Sequence, residues 1–273
     1  MSFENLTRLT EQMGMPAKHT GLYAGKRDAI FYDRELTGFL DDLPFYLKHL
    51  PGEARDLLEL GCGTGRLGLA LARKGYKVTG IDRSNSMLRL AKAKSEKEGI
   101  SGFSPVCMDM TRMAFRKRFD AVLIPYHTIN LLVEPDALQR CLQQARGFLK
   151  PDGRLLLQIY IPDRSLRALE GKRQFQFQIF EDAGGDKFIK EIFKGYDPGL
   201  SRLEVREIYR LRPSGGAKED WQCEYQLLGY PPEKWQEILA AAGFTVKALY
   251  GDYSLKAFNA AEDHLMLVAA APG

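Results

Sequence analysis

Cysteine is scarce and scattered: Cys62, Cys107, Cys141 and Cys223 are the four in 273 residues, and no two form a Cys-x-x-Cys pair. That spacing argues against a structural zinc site, and the thiols read as reduced and mostly buried. Long apolar runs are missing too. No segment approaches the roughly 18 uncharged apolar residues that a membrane helix needs, and residues 1–10 have no basic start leading into an apolar stretch. The expectation is a cytoplasmic protein with no membrane partner. Charge of one sign is equally lacking. The 39 basic and 35 acidic residues leave a net charge of +4, with Lys and Arg distributed rather than blocked, which gives no footing to a nucleic-acid partner. Repeats, low-complexity tracts and linkers are absent.

What the chain does have is enough apolar content, 45% over 273 residues, to bury a substantial core as one elaborated domain. Its most informative stretch is Asp56-Leu-Leu-Glu-Leu-Gly-Cys-Gly-Thr-Gly-Arg66, followed by Val78-Thr-Gly-Ile-Asp82. This reads as an apolar strand, a glycine turn, a helix and a second strand ending in a carboxylate. Gly61 and Gly63 permit a sharp turn and leave room for a ligand against bare main chain, and Gly65 lets the next helix pack close to the sheet. Cys62 is a small residue within that turn. A dinucleotide fingerprint would read Gly-x-Gly-x-x-Gly, but the third glycine stands one place early and Arg66 occupies the expected position. Glu59 precedes the turn, where an acid is poorly suited to a pyrophosphate and well suited to an ammonium group. Asp82 closes the second strand, where a carboxylate can accept from both hydroxyls of a ribose.

These residues resemble the class I S-adenosylmethionine-dependent methyltransferases, whose first motif is an acid followed by Gly-x-Gly-x-Gly and whose second is an acid closing strand two. The resemblance continues through Asp82-Arg-Ser-Asn-Ser-Met-Leu88, Met108-Asp-Met110, Phe119-Asp-Ala-Val-Leu-Ile-Pro125 and Leu149-Lys-Pro-Asp-Gly-Arg-Leu155. It spans residues 43–161 and returns more weakly after Gly229. It implies an α/β, Rossmann-like fold with a seven-stranded, mostly parallel sheet, S-adenosyl-L-methionine as cofactor and S-adenosyl-L-homocysteine as product. It also implies that Asp109 accepts from the adenine amino group, with the Met110 amide adjacent. Arg83 and Met87 would flank the adenine, although Met87 reads equally well as core. Tyr23 and Tyr32 would contact the methionine carboxylate or close the pocket, their other reading being amphipathic helix packing.

The rest of the chain sorts around this unit. Residues 1–50 read as an N-terminal helical cap, residues 51–162 as the cofactor-binding core and residues 230–273 as a closing helix and β-hairpin. Between them, residues 163–229 change character. Phe175-Gln-Phe-Gln-Ile-Phe180 alternates with period two, as do stretches of 187–193 and 203–211, separated by Gly184-Gly185, Asp197-Pro-Gly199 and Pro213-Ser-Gly-Gly216. That pattern predicts an inserted antiparallel β-meander, serving as a substrate lid or as the surface of a homodimer.

Methyl transfer from a sulfonium is an in-line displacement, so the protein must align the acceptor and, where the acceptor loses a proton, supply a base. The crevice of an open α/β sheet lies outside the carboxyl ends of its strands. Strand four runs there into Pro125-Tyr-His-Thr-Ile-Asn130. His127 is the catalytic candidate, as general base or as an acceptor that orients an amine or hydroxyl, its other reading being a loop histidine bonded to backbone. Tyr126 is the second candidate. The motif around it, Leu123-Ile-Pro-Tyr126, lacks the acid or amide and the first proline of enzymes that methylate planar amino groups, which favours an aromatic packed on the cofactor. The modest charge, the missing nucleic-acid module and an insertion placed where a lid would cover a compact substrate make the expected acceptor a nitrogen or oxygen of a small molecule. RNA or protein methylation, aminopropyl transfer and a non-catalytic cofactor sensor are the competing readings.

Overall fold

The computed structural model describes residues 18–20, 26–162, 164–167, 173–181, 184–260, 263 and 265–273. In chain order its elements are β1 (Lys18–Thr20), α1 (Lys26–Glu35), α2 (Leu43–His49), β2 (Asp56–Leu60), α3 (Arg66–Arg73), β3 (Lys77–Asp82), α4 (Asn85–Lys97), β4 (Phe103–Cys107) and β5 (Phe119–Ile124). A 3-10 turn (Thr128–Leu131), α5 (Pro135–Phe148), β6 (Leu149–Tyr160), α6 (Arg164–Arg167), β7 (Gln174–Glu181), β8 (Lys187–Asp197), β9 (Arg202–Arg212) and β10 (Glu219–Leu228) follow. The chain closes with α7 (Pro232–Ala241), β11 (Phe244–Tyr250) and β12 (Leu265–Pro272). These elements divide into two compact units, an α/β unit and a smaller sheet unit.

The α/β unit is built on a seven-stranded sheet of order β11-β12-β6-β5-β2-β3-β4. β6, β5, β2, β3 and β4 pair in parallel, and β12 lies antiparallel to both β6 and β11. The chain order reverses between β2 and β5, which opens a crevice at their carboxyl ends. Strand residues alternate between two apolar layers. Leu57 joins Phe45, Leu67, Leu71 and Leu123 on one side, while Leu58 and Leu60 join Ile124, Leu142 and Trp235 on the other. Burial on both faces is why β2 and β5 read as nearly continuous apolar runs.

Local chemistry sets the element ends. Ser84 caps α4 by accepting from the Met87 amide at 3.3 Å, and α5 opens with Pro135, whose missing N–H would have been unpaired there anyway. Asp120, at the amino end of β5, accepts from the Arg55 and Asp56 amides at 2.9 and 2.8 Å and meets Lys150 at 2.8 Å. That end of the sheet is structural. β6 starts earlier than the expected Arg154, because Leu149 pairs with Phe119 and a register shift then carries Pro151-Asp152-Gly153 within the strand.

In the sheet unit the order is β1-β10-β9-β8-β7. β7, β8 and β9 pair antiparallel, as the alternating pattern predicts. Two strands lie beyond that expectation. β10 completes the meander, and β1 adds to it in parallel from a segment that the sequence reading assigned to the helical cap. One face carries buried Phe188, Ile192, Leu203, Val205 and Trp221 around a buried ion pair, Lys190 with Glu207 at 3.1 Å. At the β7 edge the other face is open, with Phe175, Phe177 and Ile179 at 55%, 59% and 59% exposure.

Candidate functional site

The crevice is best built from β2 outward. Alternation puts Glu59 on the same side as Leu57, under α3. It is 1% exposed there, beside Gly68 of α3. Oε2 has no hydrogen-bond partner among the described residues. Burial, opposed by the nearby Arg66 charge, pushes this carboxyl up to about 8. Gly68 is glycine for a reason the motif did not reveal, since a side chain there would strike Phe103 and Glu59.

The glycine turn then separates into distinct duties. Gly61, Gly63 and Gly65 all hold positive φ, at 69°, 53° and 80°, which glycine adopts without steric cost. A Cβ on Gly65 would crowd Ala91, Phe103 and Leu69 at 3.2–3.3 Å, so its role is close packing, as expected. At Gly61 the space expected for a ligand is taken by the Thr128 side chain. Only Gly63 has room above it, its nearest neighbour being Tyr32 at 3.6 Å. Cys62 is buried, with its side chain against Gly80 of β3, and burial raises its thiol well above the ordinary range.

Asp82 lies across the turn. Its Oδ2 accepts from the Gly63 amide at 2.9 Å and its Oδ1 from the Ser84 amide at 2.8 Å, so the carboxylate ties the first motif to the second. Burial raises its pKa against those hydrogen bonds. Arg83 is exposed beside it, and Met87 is 2% exposed within the core. Asp109 spends Oδ1 on the Thr111 amide and hydroxyl, both at 2.8 Å. Partial burial acts to raise this carboxyl, but Thr111 and the Arg83 charge hold it below the usual range. Met110 is half-buried against the core. Tyr23 lies outside the described residues.

Beyond β5 the chain makes an unusual turn. Pro125 is buried, and its carbonyl accepts from the Thr128 amide and hydroxyl at 3.2 and 2.7 Å. Tyr126 and His127 between them are both left-handed, with φ of 51° and 62°. Two consecutive non-glycine residues in this region store backbone strain. The turn aims both rings into an aromatic group. Tyr126 meets Tyr32 and Phe39 at centroid distances of 6.2 and 5.9 Å, and Phe39 meets Tyr253 at 5.6 Å. His127 lies between the Tyr126 and Tyr160 rings, 5.6 Å from each. Its Nε2 is 3.3 Å from the side-chain nitrogen of Gln158, which also donates to the Tyr253 hydroxyl at 2.9 Å.

Gln158 and Tyr253 come from β6 and from the segment before β12, and the motif analysis found neither. It also missed the fixture that holds the wall in place. Arg66, at the start of α3, forms a forked pair with Asp42 at 2.7 and 2.6 Å and donates to the Phe39 carbonyl at 3.1 Å. Its guanidinium lies over Phe39 and Tyr126. The residue that breaks the dinucleotide fingerprint is thus the anchor of the N-terminal segment. The one sequence signal was Arg66 itself, a cation where a glycine was expected.

Comparison with known proteins agrees with this architecture. A family model for a methyltransferase domain matches residues 57–153. The Bacillus subtilis (strain 168) protein named "Putative methyltransferase YqeM" is 30% identical over 210 residues, covering 75% of this chain and 79% of its own. An S-adenosylmethionine-dependent methyltransferase structure from Clostridium acetobutylicum aligns with a TM-score of 0.74 at 18% identity, covering 90% of this chain and 98% of that one. The sugar N-methyltransferase KedS8 of a Streptoalloteichus species aligns with a TM-score of 0.73 at 17% identity, covering 93% and 96%. The chain belongs to the class I S-adenosylmethionine-dependent methyltransferases. It is an enzyme whose cofactor is S-adenosyl-L-methionine. The donor set suits that cofactor: open space over Gly63, a buried carboxylate with an unspent oxygen at Glu59, and a half-buried carboxylate at Asp82.

Proposed function

We propose that this methyltransferase acts on a nitrogen or oxygen atom of a small molecule, with the site at the carboxyl ends of β2, β3 and β5. The observation that carries the reading is the aromatic enclosure of Phe39, Tyr126, Tyr253 and Tyr32 around the turn that bears His127. Walls of this kind suit a compact acceptor, because apolar rings surround it and a few polar groups orient it. The sugar N-methyltransferase activity named for KedS8 supports the same substrate class.

In this reading Glu59 and Asp82 hold the cofactor's ammonium and ribose groups and Gly63 forms its floor, while Gly61, Cys62 and Gly65 shape the turn. Tyr32, Arg83, Asp109, Met110 and Pro125 line the rest, and Met87 backs the wall from the core. When bound, the cofactor supplies an electrophilic methyl group on a sulfonium. His127 orients the acceptor or takes its proton, Gln158 fixes the imidazole, and Tyr126 excludes water. The exposed row on β7 supports a homodimer, because an unpaired apolar edge strand is a ready partner for a second copy.

Incubation with methyl-labelled S-adenosylmethionine and fractionated cell extract tests the reading. Label in small metabolites is expected. Label in RNA or protein would replace the small-molecule acceptor by a macromolecular one. Asp82→Asn should weaken cofactor binding by about 1 to 3 kcal/mol through its ribose hydrogen bonds, and unchanged affinity in calorimetry would remove Asp82 from the site.

A further inference from the structure

The sheet unit contains a cavity of about 410 Å³ on its own, bordered by Arg173, Glu204, Arg206, Glu224 and Gln226. Its volume is in the range of small-molecule sites. The informative residue is Arg206, from the middle of β9. It is only 7% exposed, and its Nε is enclosed without an acceptor. Among the described residues its guanidinium has no ion-pair or hydrogen-bond partner; the Phe193 ring lies 4.8 Å away, and Glu224 and Glu191 act on its charge from beyond ion-pair distance.

The other cations on this sheet are treated differently. Lys190 pairs with Glu207, Arg173 with Glu204, Arg210 with Glu191 and Asp220, and Arg212 with Asp220. Acids are therefore plentiful nearby, yet the most enclosed arginine is left with its charge facing a cavity. A guanidinium carries five N–H donors in a rigid fork that matches a carboxylate or phosphate. Burial, then the Arg173 charge, pushes the Arg206 pKa down, which is the direction a bound anion would reverse. Glu224, on the cavity wall, works against an anion and sets a limit on its affinity.

We propose that this cavity binds the oxyanion group, a carboxylate or a phosphate, of a small molecule, with Arg206 as the principal donor and Arg173 as the second positive charge. The apolar body of such a ligand would lie along Phe193 and Phe175, which face each other across β8 and β7 on the Arg206 side of the sheet. The site lies wholly within the sheet unit and does not depend on the acceptor proposed above.

The test uses the full chain labelled with ¹⁵N-arginine, the Arg206 Nε–H signal being assigned by its loss in Arg206→Lys. Inorganic phosphate and acetate are titrated separately at constant ionic strength, with chloride as the control. A saturable shift of that signal is expected, with the Arg210 and Arg212 signals unmoved and binding tightened several-fold in Glu224→Gln. A response to phosphate alone identifies a phosphoryl group, and a response to acetate alone a carboxylate. Absence of a saturable shift with either anion overturns the proposal. So does anion-dependent thermal stabilisation of equal size in wild type and Arg206→Gln. Should Arg206→Gln not fold, Arg206→Lys, which keeps the charge and loses the fork, must still weaken that stabilisation.

Discussion

Glu59 is the side chain proposed to link the sheet to the cofactor. Its carboxyl titrates at about 8 in the folded chain, against an ordinary value of 4.5. A raised carboxyl favours the folded state while protonated, so this contribution is complete below about 4.5 and is lost as pH rises through about 8. Glu59→Gln should accordingly flatten the fall in Tm between about pH 4.5 and 8 while weakening cofactor affinity. Parallel melting curves for the two proteins would contradict the buried carboxyl. Gln158 offers a second test at this scale. Because it touches His127 and Tyr253 rather than the crevice floor, Gln158→Ala should lower kcat about 10-fold or more and leave the cofactor Kd unchanged. A loss confined to cofactor affinity would count against its positioning role. Glu59 and Asp82 were legible because one strand–turn–helix–strand stretch carries both. Gln158 was not, for it meets His127 from 31 residues away and Tyr253 from 95, and neither contact leaves a local pattern.

At the scale of elements, the Arg66–Asp42 pair is what joins the N-terminal helices to α3. Its side chains are 10% and 0% exposed. Burial alone would lower the Arg66 pKa, but the fork to Asp42 raises it instead. Removing one member of a buried pair leaves a bare charge behind, so Asp42→Ala should cost about 3 to 5 kcal/mol in urea unfolding. A cost below about 1 kcal/mol would mean the pair is solvated like a surface bridge. The α/β elements were readable because periodicity, proline and glycine agree with the pairing at most boundaries; at β6 they do not, since Pro151-Asp152-Gly153 lies within the strand. β1 was not, since Lys18–Thr20 pairs with Gln222–Glu224, some two hundred residues on, and three residues carry no period. β10 was signalled but passed over: Trp221 and Cys223, on the buried face, alternate with polar Gln222 and Glu224 in the same period-two pattern as β7.

For the whole molecule, β7 is the open question that a single measurement addresses. Its outward residues are Phe175, Phe177 and Ile179, and the strand is the unpaired edge of its sheet. Phe177→Lys should convert a dimer to a monomer in sedimentation velocity at micromolar concentration, and a wild-type protein that sediments as a monomer would dismiss the interface. Fold class was legible as a whole because an entire βαβ series repeats the same grammar. The acceptor was not, because the wall proposed for it is assembled from residues 32, 39, 126 and 253, which share no motif. The left-handed pair at Tyr126 and His127 bears on how such a protein can change over time. Glycine at either position would relax the main chain and remove the ring that the turn exists to present. In the role proposed for these two rings, heat tolerance and turnover pull this loop in opposite directions, and a lineage selected only for robustness would lose the loop's side chains before it lost the fold.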